Sequence, residues 1–139
     1  MEQKSNSPEE TEKLAAELAR RLALGDVVTV AGELGSGKTT FVRGACRALG
    51  VGGAVTSPTF VVGQAYDGRD GPLAHLDLYR LAGMGDEDPG LLDPFFAPDA
   101  IAFVEWPEQA GGAWPAERVA ARVRLAHAGG DRRTIEVQR

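Results

Sequence analysis

The residues best suited to chemistry lie in one run, Gly32-Glu33-Leu34-Gly35-Ser36-Gly37-Lys38-Thr39. It fits the phosphate-loop pattern G-x-x-x-x-G-K-S/T. Each part has a physical reason. Glycines let backbone N–H groups turn inward and meet phosphate oxygens with no Cβ in the way. A helix that begins near Lys38 points its positive end at the same anion. The Lys38 ammonium reaches β- and γ-phosphates, and the Thr39 hydroxyl suits Mg²⁺. From this composition, a chance match to the pattern is on the order of four in a thousand. The expected nucleotide contacts are therefore Glu33, Leu34, Gly35, Ser36, Gly37, Lys38, Thr39 and Thr40.

Two acids follow apolar stretches. Glu105 ends Ile101-Ala102-Phe103-Val104, as the acid of a Walker B strand does beside the metal. Asp is usual there. Glu is one methylene longer, so direct ligation and base catalysis are both open. Asp77 follows Leu73-Ala74-His75-Leu76, where α/β sheets bind ligands. It suits holding Mg²⁺ through water or orienting an attacking water; a solvated Asp starting a turn is the plain alternative. Trp106 comes next to Glu105 and could cover a nucleotide or a partner surface, or simply pack in the core. Ser57-Pro58-Thr59 offers hydroxyls to sense a γ-phosphate, though Ser-Pro is also an ordinary turn. His75 and His127 are too isolated to imply a metal site. Cys46 reads as a small buried hydrophobe.

These groups need a frame. Ser7-Pro8-Glu9-Glu10 predicts a capped helix start, and Leu14, Leu18 and Leu22 continue it as one stripe, to an end at Gly25-Asp26. Residues 27–31 are an apolar, β-branched run that suits a strand buried on both faces. A helix is expected over 39–49. Strands are expected over 60–66, 73–76, 101–104, 119–126 and 134–137, the last two as a hairpin around Gly129-Gly130-Asp131. Residues 81–98 read as a short helix with irregular chain. The fold class is α/β: a mixed, mostly parallel sheet of the P-loop NTPase type, flanked by helices and closed by a C-terminal β-hairpin. Residues 1–139 form a single domain, with 1–6 expected to be disordered.

The 139 residues suffice for one core. A formal net charge of −5 disfavours unaided binding to a nucleic-acid backbone. No apolar run approaches the roughly 20 residues of a membrane span. No signal-peptide pattern opens the chain, and one cysteine suits a reducing compartment, so the cytoplasm is expected. The guanine-reading string N/T-K-x-D is absent, which favours adenine. No arginine-rich lid follows, which weighs against a small-molecule kinase.

Four strings in order resemble one family, the bacterial tRNA threonylcarbamoyladenosine biosynthesis ATPases called TsaE or YjeE. They are Gly32 to Phe41, Ser57-Pro58-Thr59-Phe60, His75-Leu76-Asp77-Leu78-Tyr79-Arg80-Leu81 and Val104-Glu105-Trp106-Pro107-Glu108. The similarity runs from about Glu10 to about Ile135. It implies ATP and Mg²⁺ as cofactors, weak ATP hydrolysis, and association with the TsaD–TsaB pair, which modifies adenosine 37 of tRNAs reading ANN codons. By the resemblance, Lys38 and Thr39 hold phosphate and metal, Glu105 is the second group at Mg²⁺, and Asp77 is the essential acid near the γ-phosphate. Ser57 to Phe60 is the switch loop. Thr11 and Arg132 match positions near the nucleotide, with Arg133 the alternative to Arg132. Tyr79, Arg80 and Trp106 are candidates for partner or nucleotide contact. Ser36 stands where the family often has Ala, and Trp114-Pro115 where it often has Leu-Pro.

Two classes of function fit. One is an ATPase in which Asp77 aids the water. The other is an interaction module whose Ser57 loop is set by bound ATP. Asp77→Ala separates them, since only the first requires hydrolysis to fail while binding survives.

Overall fold

The computed structural model describes residues 2–53, 55, 63–79, 93–107 and 115–139. The Ser57 loop, Arg80, Trp114 and most of the 81–98 segment lie outside them. The elements are β1 (Glu2–Ser5), α1 (Pro8–Ala19), β2 (Val27–Gly32), α2 (Lys38–Ala48), β3 (Gly63–Asp67), β4 (Pro72–Asp77), β5 (Ile101–Glu105), β6 (Val119–His127) and β7 (Arg133–Gln138). The described strands form one sheet of seven in the order β1-β7-β6-β2-β5-β4-β3. The central four, β6, β2, β5 and β4, run parallel, and the outer pairings are antiparallel. The mixed sheet and its closing β6–β7 hairpin agree with the sequence reading.

One expectation fails at the start of the chain. Residues 1–6 were expected to be disordered, yet Glu2–Ser5 pair antiparallel with β7, from Glu2 opposite Glu136 to Ser5 opposite Arg133. The buried Ser5 hydroxyl donates to Ser7 O at 2.8 Å and lies 2.7 Å from Thr11 Oγ1. A polar segment is thus held by backbone pairing and one hydroxyl, neither of which leaves a hydrophobic pattern.

The capping prediction for α1 holds. Ser7 Oγ accepts from Glu10 N at 3.2 Å, Pro8 occupies the first turn, and Glu10 Oε2 accepts from Asn6 N at 2.6 Å. Regular helix stops at Ala19, earlier than Gly25-Asp26. Arg21 and Leu22 donate to Leu18 and Ala19 carbonyls, tightening the chain into turns. Both helices cover one face of the sheet. Val28, Val30, Leu73, Ile101, Phe103, Val123 and Leu125 meet Ala15, Leu18, Phe41, Val42 and Ala45 there. The opposite face buries Val27, Ala74, Leu76, Ala102 and Val104 with Phe96 of a short 3₁₀ turn, Asp93–Phe96. The helices pack backbone to backbone at Gly44, where an added Cβ would lie 2.4 Å from Glu12 O.

Arg118 fastens the end of the sheet away from the glycine-rich loop. Its guanidinium donates to Gly25 O at 2.6 Å, Phe96 O at 2.7 Å and Ala97 O at 3.0 Å. One planar fork thereby ties the chain entering β2 to the chain entering β5. No helix among the described residues is long and apolar enough to cross a membrane.

Candidate functional site

The alternation of strands explains where the site lies. Leu73 on β4, and Ile101 and Phe103 on β5, face the helices. Side chains alternate faces along a strand. His75, Asp77 and Glu105 therefore continue the same face toward the strands' C-terminal ends. Asp77 and Glu105 are register partners across the β4–β5 pair. β2 ends between β6 and β5, and its chain turns there into the glycine-rich loop and α2.

The loop's backbone demands glycine. Gly32, Gly35 and Gly37 all have positive φ, and Gly37 at φ 100° is the N-cap of α2. A Cβ at Gly32 would also lie 2.6 Å from the Leu125 carbonyl oxygen. Among the described residues no side chain caps the first turn of α2, and no acid stands in that turn. Its positive end is thus turned toward the cleft beside the loop. That cleft, about 370 Å³, is lined by Leu34, Gly35, Gly37, Lys38, Thr39, Thr40, Asp77, Glu105, Trp106 and Arg133.

Lys38 is buried, with Nζ donating to Gly32 O at 2.7 Å and Glu33 O at 2.9 Å. The same ammonium sits 4.3 Å from the centroid of the Trp106 ring, a cation–π contact. Trp106 has φ 59°, left-handed backbone for a bulky residue, which aims its ring over the loop. Tyr79 stacks on it at a tilt, with centroids 4.9 Å apart.

Thr39 Oγ1 donates to Glu105 Oε2 at 3.1 Å, and His75 Nε2 lies 2.5 Å from the same oxygen. Both His75 and Glu105 are buried. The Asp77 carboxylate accepts from Tyr79 N at 3.1 Å. Burial pushes its pKa above the ordinary carboxylate value. The Tyr79 N–H opposes that shift, Glu105 adds to it, and His75 and Lys38 oppose it.

The donor set fits Mg²⁺ and a polyphosphate. Thr39 Oγ1 and Glu105 Oε2 are hard oxygens 3.1 Å apart. Adjacent ligands of octahedral Mg²⁺, with bonds near 2.1 Å, stand about 3 Å apart. The Lys38 ammonium, held by loop carbonyls, has the charge and position to exchange them for phosphate oxygens.

The predicted residues divide clearly. Gly35, Gly37, Lys38, Thr39, Thr40, Leu34, Asp77, Glu105 and Trp106 share the cleft, while Glu33 borders the adjoining groove with Tyr79. The Ser36 side chain is buried, and its hydroxyl has no partner among the described residues. Thr11 is buried against Ser5, with its hydroxyl spent on that contact. Arg132 stays at the β6–β7 turn, reaching Gly129 O at 3.4 Å. Its neighbour Arg133 reaches the loop, donating to Ser36 O at 3.0 Å and Gly35 O at 3.2 Å. Of the two alternatives, Arg133 is the one at the cleft. His75 carries no spacing signal in the sequence, since it stands as one histidine inside an apolar strand. Its two-residue separation from Asp77 is what puts both on one face.

Comparison with known proteins agrees with this arrangement. The family model for "Threonylcarbamoyl adenosine biosynthesis protein TsaE" matches residues 5–135. A Streptomyces coelicolor tRNA threonylcarbamoyladenosine biosynthesis protein TsaE is 47% identical over 98 residues, covering 69% of this chain and 66% of that protein. The Bacillus subtilis protein of the same name is 39% identical over 130 residues, covering 93% and 79%. The crystal structure of Bacillus subtilis YdiB superposes with a TM-score of 0.78 at 34% identity, covering 97% of this chain and 82% of that one. With a family match spanning nearly the whole described fold and a phosphate loop set against two strand-end acids, the chain belongs to the TsaE family.

Proposed function

We propose that this protein binds and slowly hydrolyses ATP with Mg²⁺, and that it serves tRNA threonylcarbamoyladenosine biosynthesis alongside a TsaD–TsaB pair in the cytoplasm. The observation that carries this reading is the convergence of Lys38, Thr39, Glu105 and Asp77 on one cleft at the positive end of α2. Thr39 and Glu105 would hold Mg²⁺, which would supply neutralisation of charge developing on the phosphates. Lys38 would exchange the Gly32 and Glu33 carbonyls for phosphate oxygens. Arg133 keeps the loop in shape through its bonds to Ser36 and Gly35. Asp77 orients the attacking water and takes up its proton, a role its raised pKa suits. The net charge of −5 leaves tRNA binding to the partners.

The two large apolar side chains exposed beside this cleft support coupling to a partner. Leu34 is 66% and Tyr79 48% exposed, and both line one groove next to the loop. A docked protein that covers them also meets the loop that holds phosphate.

The test is ATP hydrolysis by the purified protein, alone and with its cognate TsaD–TsaB pair. Stimulation by the pair, lost in Lys38→Ala, is the expected result. Equal rates with and without the pair would overturn the partner-coupled reading. Asp77→Ala should bind ATP and fail to hydrolyse it.

A further inference from the structure

We propose that His75 is a positioning residue for Glu105, fixing the carboxylate that receives Mg²⁺. The inference rests on the reading of Glu105 as a metal group and extends it to a residue with no assigned role. Three observations carry it. His75 Nε2 lies 2.5 Å from Glu105 Oε2, and both side chains are buried. The same oxygen accepts from Thr39 at 3.1 Å, so one carboxylate oxygen is held from two sides. His75 Nδ1 is buried and has no partner among the described residues. The ring's polar contact among the described residues is therefore at Nε2, where an N–H donates to the Glu105 carboxylate.

A buried glutamate on the last residue of a strand has three χ angles to settle before it can present an oxygen in a fixed place. The imidazole settles them. The His75 backbone lies between two strands, in register with Gln64 of β3 and Phe103 of β5, and the ring is fully buried. A ligating carboxylate held by such a donor is pre-organised, and loss of an outer partner typically costs about 10–100-fold in metal affinity.

The experiment measures binding of a fluorescent ATP analogue, mant-ATP, with MgCl₂ and with EDTA. The ratio of the two affinities isolates the metal's share. The variants are His75→Leu, which keeps volume without a donor; His75→Gln, whose amide N–H can reach the same carboxylate; and Glu105→Gln. We expect His75→Leu to lose about tenfold of the Mg²⁺-dependent gain with its EDTA affinity unchanged. His75→Gln should recover most of that loss. Nitrogen-15 NMR of the wild-type ring, without nucleotide, should show the proton on Nε2.

A Mg²⁺-dependent gain left intact in His75→Leu would overturn the proposal. So would equal losses with Mg²⁺ and with EDTA, which would mark His75 as a packing residue. An intact gain in Glu105→Gln would remove the metal role of Glu105 itself, and that of His75 with it. A ring with no proton on Nε2 would refute the donor geometry.

Discussion

Replacing Arg118 with Met tests how much of this fold depends on a single side chain far from the phosphate loop. Met keeps much of the apolar stem and deletes the guanidinium. Three short bonds disappear, to the carbonyls of Gly25, Phe96 and Ala97 at 2.6, 2.7 and 3.0 Å. The fourth contact, to Ala100 O at 3.5 Å, is too long to add much. A hydrogen bond to a charged group contributes about 1.5 kcal/mol or more. Arg118 is half-buried, so water can reach the vacated carbonyls and recover roughly half of that total. The expected cost is about 2 kcal/mol. Unfolding entropy near 2.1 cal/mol/K per residue makes this a drop in Tm of about 7 °C for a chain this long. Urea unfolding followed by circular dichroism should show the same loss with an unchanged slope. Arg69→Met is the control: Arg69 is exposed, with one bond to Ala48 O at 3.2 Å and a loose pair with Asp70 at 3.9 Å. It should cost less than about 0.5 kcal/mol. A Tm loss below about 2 °C in Arg118→Met would refute the idea that this fork ties two chain segments together.

Other outcomes follow from features of the site and core. Asp77→Asn should abolish hydrolysis yet raise stability at neutral pH, because burial holds this carboxylate where its charge is disfavoured. The sign follows from the raised pKa: the penalty is full above that pKa and vanishes below the ordinary carboxylate value, where Asp77 is protonated in both states. Denaturation of both proteins at neutral and acid pH should show the two curves converging as pH falls. Cys46 is buried, and burial pushes its thiol up to about 12, so a thiol reagent at pH 8 should label it only after denaturation. Gly44→Ala gains about 1 kcal/mol in helix propensity. The clash with the Glu12 backbone should outweigh that gain and leave the variant less stable by about 1–2 kcal/mol in a melt.

What the sequence disclosed was what repeats at short range. The loop motif is local, and so is the Ser7 cap of α1. The apolar runs over 27–31 and 101–104 announced central strands because parallel strands are buried on both faces. Asp77 and Glu105 followed, since each ends such a run. What the sequence withheld is set by partners distant along the chain. β1 reads Glu-Gln-Lys-Ser and carries no apolar alternation; β7 supplies its hydrogen bonds. Arg132 and Arg133 are indistinguishable by composition. Only the start of β7 at Arg133 decides that the second reaches Ser36 while the first stays at the turn. Arg118 has no signature either, because its acceptors are backbone carbonyls, which every residue owns.

The order of the sheet bears on how the protein is made. A ribosome releases the chain from its N-terminus. The glycine-rich loop therefore emerges early, attached to β2, whose neighbours β5 and β6 are still unmade. Arg133, which grips the loop at Ser36, is encoded 97 residues later. β1 waits longer still for its sole described strand partner, since its pairings run to Glu136. A nascent chain thus carries the complete glycine-rich motif long before the strands that frame it are made. On the proposed ATP-binding reading, capture of ATP by stalled chains of increasing length would mark the point at which β7 leaves the exit tunnel and closes the sheet.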